Sequence, residues 1–143
     1  MSTIAQMLSQ VDLFSGLSRK VVDELVEGGS TRTVPSGNVV VQQGAADAGF
    51  QLVLEGEASV TVNGTAVRTL GAGDYFGEIS LIDGAPRSAT VTSAGEGCKT
   101  FLVSPMRFWS IVDANPEAAR ALLVALTTRI RSLENAGRPA ADG

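Results

Sequence analysis

The chain has 143 residues, 44% of them hydrophobic and 18% charged, which suits one domain with its own core and is too apolar for a disordered chain. The formal charge is −4, from 11 Lys+Arg against 15 Asp+Glu, which argues against a nucleic-acid partner held through its phosphates. The sequence contains no histidine, so the commonest general base and metal ligand are missing, and no catalytic Ser-His or Cys-His pair can form.

Met1 to Gln10 lacks the basic start and long apolar core of a signal peptide. No run of about eighteen apolar residues follows, so no membrane insertion by this chain is expected. Phe14 and Leu17 bracket a short turn. Ser18 then predicts the N-cap of a helix over Arg19 to Glu27, with Val22, Leu25 and Val26 as its apolar stripe and Gly28-Gly29 as its end.

From about Thr31 to Val103, short β-branched runs alternate with glycine-rich turns. Strands are predicted at Thr31–Val34, Val39–Gln42, Phe50–Glu55, Ala58–Val62, Ala66–Leu70, Ser88–Thr92 and Lys99–Val103. Glu55-Gly56-Glu57 and Gly95-Glu96-Gly97 read as turns, and Asn63-Gly64 as a two-residue hairpin. So many short strands at regular spacing imply a sandwich or β-roll. The lone Cys98 excludes an intrachain disulfide and fits a reducing, cytoplasmic compartment; in a strand-like run it is expected to be unreactive.

The last third reads as helical. Ser104-Pro105 opens Met106 to Val112, and Asn115-Pro116 opens a longer helix. Ala119, Leu122, Leu123, Leu126, Ile130 and Leu133 are spaced for one continuous apolar face, ended by Gly137 and Pro139. The expected organisation is one domain over 1–137 and a disordered tail over 138–143.

The chemistry concentrates between Phe76 and Val91: Phe-Gly-Glu-Ile-Ser-Leu-Ile-Asp-Gly-Ala-Pro-Arg-Ser-Ala-Thr-Val. Gly77 lets backbone approach a ligand closely, and Glu78 to Asp83 has the length of a short helix. The free N–H groups of Ile79 and Ser80 at its start suit an anion. Arg87 adds a permanent positive charge, and Glu78 is an acceptor for a hydroxyl. The set reads as a site for phosphate plus sugar. The same spacing also suits a surface ion pair in a turn.

This stretch resembles the phosphate-binding cassette of the cyclic nucleotide-binding domain family. It follows a Gly71-Ala72-Gly73-Asp74-Tyr75 approach and precedes a closing strand and two helices, as in that family, and the likeness runs from Leu13 to Leu133. Gly44 and Gly56 also match the spacing of two family glycine turns. The resemblance implies an antiparallel β-roll (jelly roll) at about 31–103, with N-terminal helices and two C-terminal helices, hinge and lid, at about 104–135. It implies that Glu78 binds the ribose 2′-hydroxyl and Arg87 the exocyclic phosphate oxygens. Gly77, Ile79, Ser80 and Ala89 would offer backbone N–H groups, and Ser88 a hydroxyl to the phosphate or the purine edge. Phe76 and Leu81 would be packing residues, with Leu81 sensing the bound state, and the helix Pro116 to Glu134 would be the lid.

Two departures stand out. Many members carry an acid four residues after the glycine matching Gly44; here that position is Ala48, and Asp47 lies one residue earlier. No aromatic residue follows Trp109, so the base would meet Leu122, Leu126 or Ile130, or Arg129 by a cation–π contact. Core packing is the competing role for the leucines, solvent exposure that for Arg129, and Trp109 is expected to pack helices.

The function implied is a non-enzymatic sensor for cAMP, with cGMP also possible, which signals by moving the C-terminal helix. Its partner would be a protein effector or a second copy packed along Leu122 to Leu133. A metal-dependent cupin enzyme is disfavoured by the absence of histidine. A helix-turn-helix transcription factor is disfavoured because little sequence follows the lid. A degenerate module acting only through protein partners is disfavoured by the intact Glu78 and Arg87. A sensor fragment of a larger channel, kinase, cyclase or transcription regulator stays open.

Overall fold

A computed structural model of the protein describes residues 3–46 and 49–137. The tail expected to be disordered, 138–143, lies outside the described residues. Three elements precede the sheet: α1 (Thr3–Ser9), a 3-10 turn (Asp12–Phe14) and α2 (Arg19–Gly28). Ser18 starts α2 as expected, its hydroxyl accepting from the Val21 N–H at 3.3 Å. The sequence reading did not anticipate α1, whose seven residues are too few for a helical period to show; Ala5 and Leu8 bury it.

Six strands form one antiparallel sheet: β1 (Ser30–Val34), β2 (Val39–Val41), β3 (Phe50–Val62), β4 (Thr65–Leu70), β5 (Tyr75–Phe76) and β6 (Thr90–Val103). The order is β1-β6-β3-β4, with β2 also on β6 and β5 also on β3. Asn63 and Gly64 both take positive φ, 51° and 81°, as a tight hairpin turn between β3 and β4 requires.

Four predicted strands prove to be two long ones. Phe50–Glu55 and Ala58–Val62 are one strand, β3, and Ser88–Thr92 merges with Lys99–Val103 into β6. The glycines read as turns are register shifts inside a continuous β3–β6 pairing, between Val53/Glu55 and Gly56/Glu57. Gly56 (φ 82°) lies against Gly97 (φ 113°), and a Cβ on Gly56 would collide with the Gly97 carbonyl oxygen. Facing glycines therefore let the paired strands bend sharply without parting, which curls the sheet into a roll.

Alternation along these strands divides the core in two. Phe50, Leu52, Phe101 and Val103 face the helices; Val53, Val60, Val91 and Cys98 face the inside of the roll. The helical side also takes in Phe14, whose ring stands edge-on to Phe50 at 5.0 Å. The polar Thr100 and Gln51 are buried and satisfy each other at 2.8 Å.

α4 (Pro105–Ala114) begins at its predicted cap, Ser104 accepting from the Arg107 N–H at 3.2 Å. α5 (Pro116–Ala136) begins after Asn115, but the Asn115 side chain makes no cap. Its amide instead donates to Glu24 Oε2 at 2.7 Å and to the Ile111 carbonyl at 2.8 Å, tying the α4–α5 joint to α2. The apolar face expected along α5 is also split. Ala118 and Leu122 are buried in the helical core, whereas Leu123, Ile130 and Leu133 point into solvent.

Candidate functional site

α3 (Glu78–Asp83) has the predicted bounds. It starts from Gly77 at φ 85° and ends at Gly84 at φ 69°, so each boundary is a left-handed residue that glycine adopts without strain. Gly77 is also sterically required: a Cβ there would run into Arg87 Nη1 and the Gly49 carbonyl oxygen.

Arg87 is buried, at 6% exposure. The loop after β2 clasps its backbone from both sides, with Gly44 N–H donating to the Arg87 carbonyl at 2.8 Å and Arg87 N–H donating to the Ala45 carbonyl at 3.0 Å. Its Nη2 donates to the Gly49 carbonyl oxygen. The guanidinium is thus fixed beside the start of α3. Asp47 and Ala48, where the sequence departs from the family pattern, lie outside the described residues.

These elements surround a cavity of about 260 Å³. Its floor is the apolar interior of the roll, Val41, Val60, Phe76 and Val91; its rim is Gly77, Glu78, Ile79, Ser80, Arg87, Ser88 and Ala89. All seven residues predicted to touch ligand therefore lie around one cavity. Phe76 is part of its floor. Leu81 turns away and is buried among the helices, where Trp109 Nε1 of α4 donates to its carbonyl at 3.2 Å. The cassette helix is thereby fastened to α4.

The sequence reading missed the floor valines and Arg68, which lines the cavity from β4. The valines were legible only as strand residues, since which face of a strand borders a cavity depends on how the roll closes. Nothing in the sequence near Arg68 singles it out.

Of the lid or packing candidates, Leu122 is core, packed with Ala118 under the 3-10 turn, and does not line the cavity. Leu126 is half-buried against the same core. Arg129 does reach the cassette, its Nη1 lying 3.4 Å from Glu78 Oε1, with both side chains partly buried. Arg129 is therefore only partly solvated. Among the described residues no group of three or more His, Cys, Asp or Glu is placed to hold a metal ion. No helix among them is long and apolar enough to cross a membrane.

Residues 31–115 match the family model of the cyclic nucleotide-binding domain. The chain is 34% identical over 134 residues to a cyclic nucleotide-gated potassium channel of Rhizobium etli, covering 94% of this chain and 36% of the channel. It is 40% identical over 88 residues to a cAMP-dependent protein kinase regulatory subunit of Yarrowia lipolytica, covering 60% of this chain and 24% of that subunit. It thus spans about a third or less of these curated relatives. Among solved structures it resembles the N-terminal domain of a transcriptional regulator from Streptomyces coelicolor A3(2), with TM-score 0.82 and 26% identity over 94% of this chain and 99% of that one. It also resembles the regulatory domain of Toxoplasma gondii PKA with cAMP, with TM-score 0.65 and 28% identity over 82% of this chain and 48% of that one.

Proposed function

The chain belongs to the cyclic nucleotide-binding domain family, and we propose that its cavity binds a cyclic nucleotide, cAMP in the first place, and reports it through α5. The observation that carries this reading is the convergence of Arg87, Glu78 and the start of α3 on one cavity with an apolar floor. A cyclic phosphodiester has one negative charge, a ribose hydroxyl and a flat base. Arg87 and the N–H groups of Gly77, Ile79, Ser80 and Ala89 suit the phosphate. Glu78 suits the 2′-hydroxyl as an acceptor, and Ser88 suits the phosphate or the base edge. The family model describes a nucleotide-binding module, and the role read here is accordingly regulatory.

Signalling follows from the Arg129–Glu78 contact. Arg129 of α5 lies against a carboxylate that the ribose would also use. A ligand bound to Glu78 alters the one polar tie between α5 and the cassette that the structure records, and so shifts the population of α5 positions. Arg129 is then free to face the base. The output belongs to the protein that reads α5, an effector or a second copy, in the reducing cytoplasm that a lone, buried Cys98 suits.

Isothermal titration calorimetry with cAMP, cGMP and 5′-AMP tests the proposal. Binding of cAMP with little response to 5′-AMP is expected, and the cGMP arm sets the preference. No heat and no thermal shift with all three would leave a scaffold that acts only through proteins.

A further inference from the structure

One cation of the cavity has no part in the phosphate site. Arg68 lines the cavity from β4 and not from the cassette. The strand register fixes its place. Val41 pairs with Val91, Val91 with Val60, and Val60 with Arg68, so the four residues form one row across β2, β6, β3 and β4. Directly paired residues point to the same face of a sheet, and all four border the cavity. The valines are buried, whereas Arg68, which closes the row, is exposed. Among the described residues no ion pair or side-chain hydrogen bond engages its guanidinium.

The row also has a direction. Arg87, Ser88 and Ala89 lead straight into β6 at Thr90, so the cation of the cassette stands at the Val91 end. Arg68 stands two strands further on, about 10 Å from Val91 at the usual strand spacing. A phosphate held at Arg87, with its ribose on Glu78, leaves the flat base to lie over the valines, since the base is the part of the ligand that an apolar floor suits. The polar edge of the base then meets Arg68. A guanidinium offers a planar fork of N–H donors and no acceptor. Guanine presents N7 and O6 side by side, both acceptors, whereas adenine presents N7 beside the N6 amine, a donor. The fork therefore makes two bonds to guanine, but only one to adenine, whose amine it opposes.

We infer that Arg68 reads the purine edge of a nucleotide in this cavity, donating to N7 and O6 of guanine together, and so lends the cavity an affinity for cGMP that the cassette does not supply. The inference rests on the cyclic-nucleotide reading of the cavity and adds to it a specificity residue on β4.

Calorimetry with cGMP, cAMP and 3′,5′-cyclic inosine monophosphate on the wild-type chain, Arg68→Ala and Arg68→Lys tests it. The inosine analogue keeps N7 and O6 but lacks the 2-amino group of guanine, so it isolates the edge that faces Arg68. Arg68→Ala should weaken cGMP and the inosine analogue about tenfold or more, and cAMP less than about threefold. Arg68→Lys keeps the charge but loses the fork, and should leave cGMP nearly as weak as in Arg68→Ala. Arg68 is exposed, so neither variant should move the thermal unfolding midpoint. Equal losses for all three ligands, or full recovery in Arg68→Lys, would make Arg68 a general attraction for the phosphate and overturn the inference. Loss of cGMP with the inosine analogue unchanged would overturn it too, by placing Arg68 away from N7 and O6. A wild-type chain that binds cAMP, with cGMP indifferent to Arg68→Ala, defeats this inference alone. A wild-type chain that binds none of the three defeats the reading of the cavity and this inference with it.

Discussion

The cassette and the distal half of α5 are held in opposite ways. Around the cavity Gly77 is set by its left-handed backbone, and Arg87 is fixed by backbone bonds to Gly44 and Ala45 and a side-chain bond to Gly49. Beyond Leu126, α5 has one recorded polar tie, from Arg129 to Glu78, between partly exposed side chains. Such a pair contributes only about 0–1 kcal/mol. A site prepared in advance loses little entropy on binding, whereas a weakly held helix is easily repositioned. The contrast fits a rigid receptor joined to a movable reporter.

The largest effect expected is on Arg87. Arg87→Ala removes the fixed positive charge, and cAMP affinity measured by calorimetry should fall roughly a thousandfold, as the loss of a buried, charge-assisted contact implies. Retained affinity would mean that the cassette is not the receptor. Gly77→Ala comes next. It forces a non-glycine residue to φ 85° and drives a Cβ into Arg87, which should cost about 2 kcal/mol or more in chemical denaturation. A neutral result would show that the cassette is less rigid than the contrast requires.

Glu78→Gln keeps the shape but weakens acceptance from a hydroxyl. Affinity for cAMP should fall about tenfold, and that for 2′-deoxy-cAMP much less. Equal losses for both ligands would remove Glu78 from the sugar contact. The smallest effect concerns Cys98 inside the roll. Burial raises its pKa above the usual 9.0, so the unfolded thiol ionises first as pH rises. Its contribution to stability is full below that usual value and is lost as the pH climbs past it. Stability should therefore decline slightly above about pH 9, and less in Cys98→Ala, when denaturation midpoints are compared between pH 8 and pH 10.

Local signals were read correctly where a few neighbouring residues decide the outcome. Ser18 and Ser104 cap helices because the hydroxyl and the N–H it accepts from lie three residues apart in sequence. Asn63-Gly64 makes its turn for the same kind of reason, and α3 runs between two glycines whose left-handed backbones bound it. The readings failed where distant residues decide. Glu55-Gly56-Glu57 has the composition of a turn, yet it is a bulge, because Gly97 meets Gly56 across the β3–β6 pair. Asn115 has the composition of a cap, yet Glu24 and Ile111 claim its amide.

The sequence by itself therefore pointed to the fold class through strand periodicity and to the cassette through the family resemblance its motif carries. It also held the apolar face of α5, although Leu122 and Leu123 look alike on a helical pattern. Only the tertiary structure decided that Leu122 is core and Leu123 is exposed, because burial depends on which side of α5 meets the 3-10 turn and α4. It likewise decided that Arg129 reaches Glu78 across 51 residues of chain, a contact made by the packing of α5 beside the roll and carried by no spacing in the sequence.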